Sequence, residues 1–476
     1  MNLRTATSLL GTTLFGALAA TVNAAEEGPI IISGSGTTNP SKCFWHIMAK
    51  LEEQIKIPVR MTYRAVGSGT GQKEFLGKGI EIDGSPTDTE IAYNDFGSGD
   101  IPISAADKEN WNNKGIEFAQ LPFVLSAVSF FHNIPGVPTG EMGLNMTACL
   151  LSRVFSADIT EWDHPDIKAI NPGLNVEDNY PIFVGRRVLG SSSTYSITHY
   201  LHAQCPQSTE EPKGWPEDKA ASKLEWHPST NACEGSGPMT TCIEDNEGAI
   251  GYIDAAHGHE ANLNEIRLKN GDGMFLTAKE AGIEGVQAAA ADLSTVPSTA
   301  FGDFTNVAYY NMKGPNTWPI SLVSYVYIRK DLSHITNPVS RTLLKAFANA
   351  LFDPDYIGLC ERYGHIPVPE EVKTISMAGL AELNWDASED QEWTFEKSTM
   401  PGWGQGDYVI SDKRKSFTLY EADRLADDME PLIEDLRQLK VEMAAAKVSG
   451  LSSGSAVVNM AWGVGALVGG VMLSLY

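Results

Sequence analysis

Hydrophobic positions along the chain switch repeatedly between strand spacing and helix spacing, with a glycine-rich turn at each switch. Ile30-Ile31-Ile32 is a short apolar run that ends in Gly34-Ser35-Gly36. Pro40 then stands where a helix can begin, and Phe44, Ile47, Met48, Leu51 and Ile55 follow at helical spacing. Val59, Met61 and Tyr63 alternate as in a strand, before Gly67-Ser68-Gly69-Thr70-Gly71 opens onto a helix through Gln72 to Leu76. Pro181 to Gly185 is a further strand. It leads through Arg186-Arg187 into Gly190-Ser191-Ser192-Ser193-Thr194, after which Ile197, Tyr200 and Leu201 mark one face of a helix. Repeated strand, turn and helix predict an α/β fold.

From about Met400 the pattern changes. After Pro401 to Gly406, Leu425, Met429, Leu432, Leu436, Leu439 and Met443 recur at alternating steps of four and three, a short heptad seam. Pro431 suits a helix start within it. This acidic stretch reads as a helical stalk, packed on its own domain or dimerising.

The two ends set the compartment. Arg4, an apolar run from Leu9 to Ala20 and the small-x-small site Val22-Asn23-Ala24 make residues 1–24 a signal peptide. From Ala456 to Tyr476 the chain is uncharged and mostly apolar, long enough to span a bilayer, with no Lys or Arg after it. Ala444-Ala445-Ala446 and a spacer from Lys447 to Ser455 precede it, the pattern of a GPI-attachment signal; a retained membrane anchor is the other reading. Either makes the chain secreted or cell-surface and tethered to the membrane at its C-terminus.

A net charge of −25 excludes nucleic acid as a partner, since that binding needs clustered cations. It does not exclude an anionic ligand, which local backbone N–H groups can hold. The six cysteines (Cys43, Cys149, Cys205, Cys233, Cys242, Cys360) are an even count in an exported chain and permit disulfides. Cys233 and Cys242 are close enough for a loop staple, but pairing stays open. Asn145-Met146-Thr147 is a glycosylation sequon.

The candidate chemistry lies in three turns, each Gly-rich with Ser or Thr at a helix mouth. Helix N-termini present unpaired N–H groups and partial positive charge, hydroxyls add donors, and glycine lets backbone approach an anion. Arg187 beside the third turn is the residue type that pairs with tetrahedral oxyanions. A fourth piece, Asp95-Phe96-Gly97-Ser98-Gly99-Asp100, brings a carboxylate. Catalytic patterns are poorly matched. Gly67 to Lys73 lacks the Gly-Lys-Ser/Thr ending of a phosphate loop, and Gly450-Leu451-Ser452-Ser453-Gly454 has no strand before it. His257-Gly258-His259 reads as a solvated loop rather than part of a metal site. No metal, cofactor or catalytic activity is expected.

At these residues the sequence resembles the phosphate-binding proteins of bacterial high-affinity phosphate uptake, from about Pro29 to Asp386. Gly34 to Pro40 is similar to the family's first binding turn and Val66 to Gly71 to its second, with Asp95 to Pro102 as the carboxylate-bearing strand end. Leu121-Pro122, Asn133 to Gly136, Ile159 to Asp163, Asn171 to Leu174, Gly248 to Tyr252 and Trp318-Pro319-Ile320 have counterparts in the family's order.

The resemblance implies a two-lobed periplasmic-binding-protein-like (Venus flytrap) α/β fold with crossings near Val124 and Trp318. Residues 25–124 and 318–400 would form one lobe and 125–317 the other, followed by the stalk 401–447 and the hydrophobic tail 448–476. It implies inorganic phosphate as ligand, captured for uptake and passed to a membrane phosphate transporter. Thr38, the Asn39 amide and Ser68 would donate to phosphate, Arg187 would pair with its oxygens, and Ser191, Ser192 and Ser193 would add donors. Asp100 would accept the proton that hydrogen phosphate carries and sulfate lacks. In the family an Asp commonly stands two residues after the binding Arg; here that position is Leu189, which leaves the Arg187 guanidinium freer. A module for another oxyanion, a surface receptor or adhesion protein with a vestigial pocket, and a phosphatase are the alternative functions.

Overall fold

The computed structural model describes residues 28–431, except 79, 83–84, 88–91, 138–139, 141–142, 385–390, 398, 400–403, 405, 422–423, 426–427 and 430. The signal peptide, the hydrophobic tail and much of the stalk lie outside the described residues. Among those described, no helix is long and apolar enough to cross a membrane. They fall into two compact units, within Met1–Thr394 plus Gln405–Ile410 and within Phe395–Gly404 plus Ser411–Tyr476. In the second unit, Glu396 accepts from Ser411 Oγ and pairs with Lys413, while Arg424 pairs with Glu421 and Asp428.

In the first unit the elements that matter for function are, in chain order, β1 (Ile30–Gly36), α1 (Ser41–Gln54), β2 (Val59–Ala65), α2 (Ser68–Leu76), β3 (Phe96–Gly99) and β4 (Phe118–Asn133). They continue with β5 (Phe183–Arg186), α3 (Ser192–Gln204), α4 (Ser236–Asp245), β6 (Ala249–Asp254) and β7 (Ile320–Arg329). One sheet runs β2-β1-β3-β7-β4-β6-β5, extended at the β5 edge by Asn231–Ala232. The outer pairs β1–β2, β1–β3 and β6–β5 are parallel, while β7 and β4 run antiparallel to their neighbours. This is a mixed, two-lobed α/β fold, the two parallel groups lying on either side of the long central pair.

Composition explains the central pair. β4 reads FAQLPFVLSAVSFFHN and β7 reads ISLVSYVYIR, nearly continuous apolar runs that are buried along their length, as strands covered on both faces must be. Pro122 interrupts β4, and the register slips there: Ser324 faces Val124 and Tyr325 faces Pro122. Proline has no N–H to give the ladder, so a bulge at this point costs little. Phe123, left out of the pairing, stacks on Phe44 of α1 with ring centroids 5.3 Å apart.

Several local expectations shift by a turn. α2 begins at Ser68 rather than Gln72, because Gly67, at φ 87°, serves as its N-cap in a conformation suited to glycine. β5 begins at Phe183, two residues beyond Pro181. His257-Gly258-His259 is not a solvated loop but part of the helix Ala255–Glu260. There His257 Nδ1 lies 3.4 Å from Asp254, and His259 Nε2 lies 2.7 Å from Glu265, which is buried. All six cysteines are bridged, Cys233–Cys242 as the short loop and Cys43–Cys360 and Cys149–Cys205 across long spans that spacing left open.

Candidate functional site

The site begins where β1 ends. Gly36 has φ 151°, and a Cβ there would fall 1.9 Å from the Ser98 carbonyl oxygen of the neighbouring strand β3. A Cβ on Gly71 would fall 2.2 Å from the Gly36 Cα, so glycine at both positions lets the first turns of α2 lie against the end of β1. The approach brings Ser68, fully buried, beside Asp100, which follows β3. The Asp100 N–H donates to Ser68 Oγ at 3.2 Å.

Asp100 is the centre of the arrangement, 5% exposed. Its Oδ2 accepts from Thr37 Oγ1 at 2.5 Å and Ser192 Oγ at 2.7 Å, and its Oδ1 accepts from Ser324 Oγ at 2.6 Å. An ionised carboxylate has about four acceptor positions, so Oδ1 keeps one that is not used by these hydroxyls. Burial, with the charge of Asp254 behind it, pushes this carboxyl up to about 6, against the bonds from Ser324, Thr37 and Ser192. The register shift beside Pro122 falls between Ser324 and Tyr325, at the residue whose side chain reaches Asp100.

The second half of the site comes from β5, α3 and α4. Ser191 caps α3, its Oγ accepting from Thr194 N–H, and Ser192 and Ser193 are buried in the first turn. The Arg187 N–H donates to Tyr252 Oη at 3.1 Å. Tyr252 Oη also bonds Thr194 Oγ1 at 2.8 Å, which ties the arginine to the mouth of α3. Arg187 is 4% exposed, and its Nε and Nη2 donate to Glu234 Oε1 at 3.3 and 3.2 Å. Glu234 Oε2 accepts the N–H groups of Val188 and Leu189 at 2.7 and 2.8 Å. Burial pushes Glu234 up, but those amides and the guanidinium outweigh it and hold the carboxyl below its ordinary value.

The expectation of a freer Arg187 is therefore corrected. With Leu189 in place of an acid two residues on, Glu234 grips the same guanidinium from a segment 47 positions away. The disulfide Cys233–Cys242 closes the loop that carries Glu234 and Ser236. The Ser192 hydroxyl, at the mouth of α3, is put to use in the bond to Asp100.

Thr38 and Asn39 sit at the entry to α1. Thr38 Oγ1 lies 3.2 Å from Ser236 Oγ, and Asn39 N–H donates to Thr37 Oγ1 at 3.3 Å. Together with Ser192–Asp100 and the ion pair Lys42–Glu260, the Thr38–Ser236 bond joins the two sides of the site. Sequence reasoning missed Thr37, Ser324, Glu234 and Ser236. Ser236 was discoverable, because Gly235-Ser236-Gly237 repeats the glycine–serine mouth and Gly235, at φ 97°, is the N-cap of α4. Asn145, the glycosylation candidate, lies apart. Its Nδ2 donates to the Ile170 carbonyl at 3.4 Å.

Chemically the arrangement offers hydroxyl donors, helix N-termini and one anchored guanidinium, with a carboxylate that retains an acceptor position. Such a set suits a tetrahedral oxyanion that carries a proton.

Comparison with known proteins is consistent with this geometry. A family model described as a PBP superfamily domain matches residues 23–355. The phosphate-binding protein PstS of Pasteurella multocida is 25% identical over 341 residues, covering 72% of this chain and 87% of that protein. PstS of Haemophilus influenzae is 24% identical over 356 residues, covering 74% of this chain and 93% of that protein. A phosphate-binding protein from Stenotrophomonas maltophilia has a similar fold, with a TM-score of 0.54 at 16% identity, covering 73% of this chain and 93% of its own.

Proposed function

The chain belongs to the PBP superfamily, and we propose that it captures inorganic hydrogen phosphate outside the cytoplasm, between its two lobes, for uptake. The observation that carries this reading is Asp100. It is a buried carboxylate ringed by Thr37, Ser192 and Ser324, with an acceptor position to spare. That position accepts the proton of hydrogen phosphate; sulfate has none to offer and meets an unpaired, repelling charge. Thr38, Asn39, Ser68, Ser191, Ser192 and Ser193 supply donors at three helix mouths, and Arg187, steadied by Glu234, pairs with the phosphate oxygens. Charge-assisted hydrogen bonds contribute roughly 1.5–3 kcal/mol each, so several of them support micromolar or tighter binding after closure costs.

The role is capture and hand-over rather than turnover. The lobes are 25–124 with 318–400, and 125–317; β4 and β7 cross between them. A membrane phosphate transporter is the receiving partner, and the apolar segment 448–476 is the tether that keeps the protein near it. Titration of the protein with phosphate, and with sulfate in parallel, tests the reading. Phosphate heat without sulfate heat supports it, and equal response to the two anions removes Asp100 from its role.

A further inference from the structure

Beside the Asp100 ring lies a second buried carboxylate, Asp254, to which the proposed capture of phosphate gives no role. Ser236, at the mouth of α4, donates to Asp254 Oδ2 at 2.9 Å and lies 3.2 Å from Thr38 Oγ1. Asp254 ends β6 and is 2% exposed, yet its Oδ1 has no hydrogen-bond partner among the described residues. Asn39, 3% exposed and adjacent to Thr38, has a buried Nδ2 that is likewise without one. His365 brings these two residues into one neighbourhood, because the Asn39 backbone and the charge of Asp254 both act on its imidazole. A buried donor and a buried acceptor left without partners are both costly, so a bound group that satisfies both is favoured. One oxygen bearing a proton does so, accepting from the amide and donating to the carboxylate.

Charge points the same way. Asp100, Asp254 and Glu234 stand against the single guanidinium of Arg187, and Asp254 adds its charge to the burial that already disfavours an ionised Asp100. The other titratable groups against Asp254 are His257, 3.4 Å from its Oδ2, and His365, which burial holds down at about 4 and so keeps neutral near pH 7. Lys42, on α1, is already paired with Glu260. A dianion entering this set meets more negative than positive charge, whereas a monoanion with two P–OH groups has one proton for each carboxylate.

We propose that Asp254, held by Ser236, is a second proton acceptor of the ligand site, so that the cleft takes phosphate as the doubly protonated monoanion. The inference rests on the phosphate reading above and specifies which ionic form is bound. Above neutral pH most free phosphate is the dianion, so binding takes up a proton from solvent, and apparent affinity falls about tenfold per pH unit.

The test is calorimetry of the full chain with inorganic phosphate at about pH 8, in two buffers of unlike ionisation enthalpy. The wild type is expected to take up about one proton per phosphate bound, and Asp254→Asn to take up few or none with a flattened pH profile. The wild-type slope between about pH 7 and about pH 9 needs no variant, so the proposal stays testable if Asp254→Asn does not fold. Phosphate binding with no proton uptake, or uptake retained in Asp254→Asn, overturns the inference and leaves phosphate capture standing. Absence of phosphate binding at every pH removes the capture reading, and this inference with it.

Discussion

The two sides of the site are built on different principles. On the β1–α2 side, Gly36 and Gly71 let the end of β1, the start of α2 and β3 approach backbone to backbone, and the functional hydroxyls follow from that contact. On the β5–α3 side the decisive side chain, Arg187, is positioned by groups from elsewhere in the chain. These are Tyr252 at the backbone and Glu234 at the guanidinium, the latter on a loop closed by Cys233–Cys242. One side is specified by glycines where backbones meet, the other by side chains that hold a side chain. The lesson is that a guanidinium with no acid beside it in sequence can be held by one from elsewhere in the chain.

Asp100 joins the two sides, and its substitution has the largest expected effect. In Asp100→Asn the ratio of phosphate to sulfate affinity is expected to fall by about a thousandfold or more, the scale on which a site built for a ligand proton rejects an analogue without one. Competition titration checks this, and unchanged selectivity separates Asp100 from ligand choice. The same variant reports on stability. In the fold this carboxyl is raised from its ordinary 3.8 to about 6. Between those values the folded state binds more protons, so stability falls as pH rises through that window. At neutral pH the ionised group costs on the order of 3 kcal/mol, and ligand-free Asp100→Asn should melt above wild type. An Asp100→Asn advantage in melting temperature that is no larger at pH 7 than at pH 4 would not fit.

Arg187→Ala is expected to weaken phosphate binding by about a hundredfold, the loss of more than one charge-assisted bond. The smallest effect sharpens the comparison most. Glu234→Ala should cost about tenfold by freeing the guanidinium and leaving the Val188 and Leu189 amides unpaired. Adding Leu189→Asp returns an acid next to Arg187 and should recover part of that loss. If the double variant binds no better than Glu234→Ala, distant and local restraints are not interchangeable here.

This contrast also marks what the sequence reveals. The helix mouths, their serines and Asp100 are legible because glycine and hydroxyl residues cluster at predicted strand ends. Ile197, Tyr200 and Leu201 do form a buried face of α3. The long pair β4 and β7 was readable only as crossings near Val124 and Trp318. The bulge beside Pro122 that accompanies Ser324 depends on register between strands far apart in the chain. Glu234 was invisible for the same reason, since nothing in its local sequence distinguishes it from the chain's many other acids. Thr37 was passed over in favour of Thr38, because which of two adjacent side chains faces Asp100 is decided by the turn at Gly36.

The most direct test of the central claim is calorimetric titration of the full chain with inorganic phosphate, with sulfate as the parallel ligand. The account predicts saturable phosphate binding at micromolar or tighter affinity and no sulfate response. Comparable binding of both anions, or of neither, would contradict it.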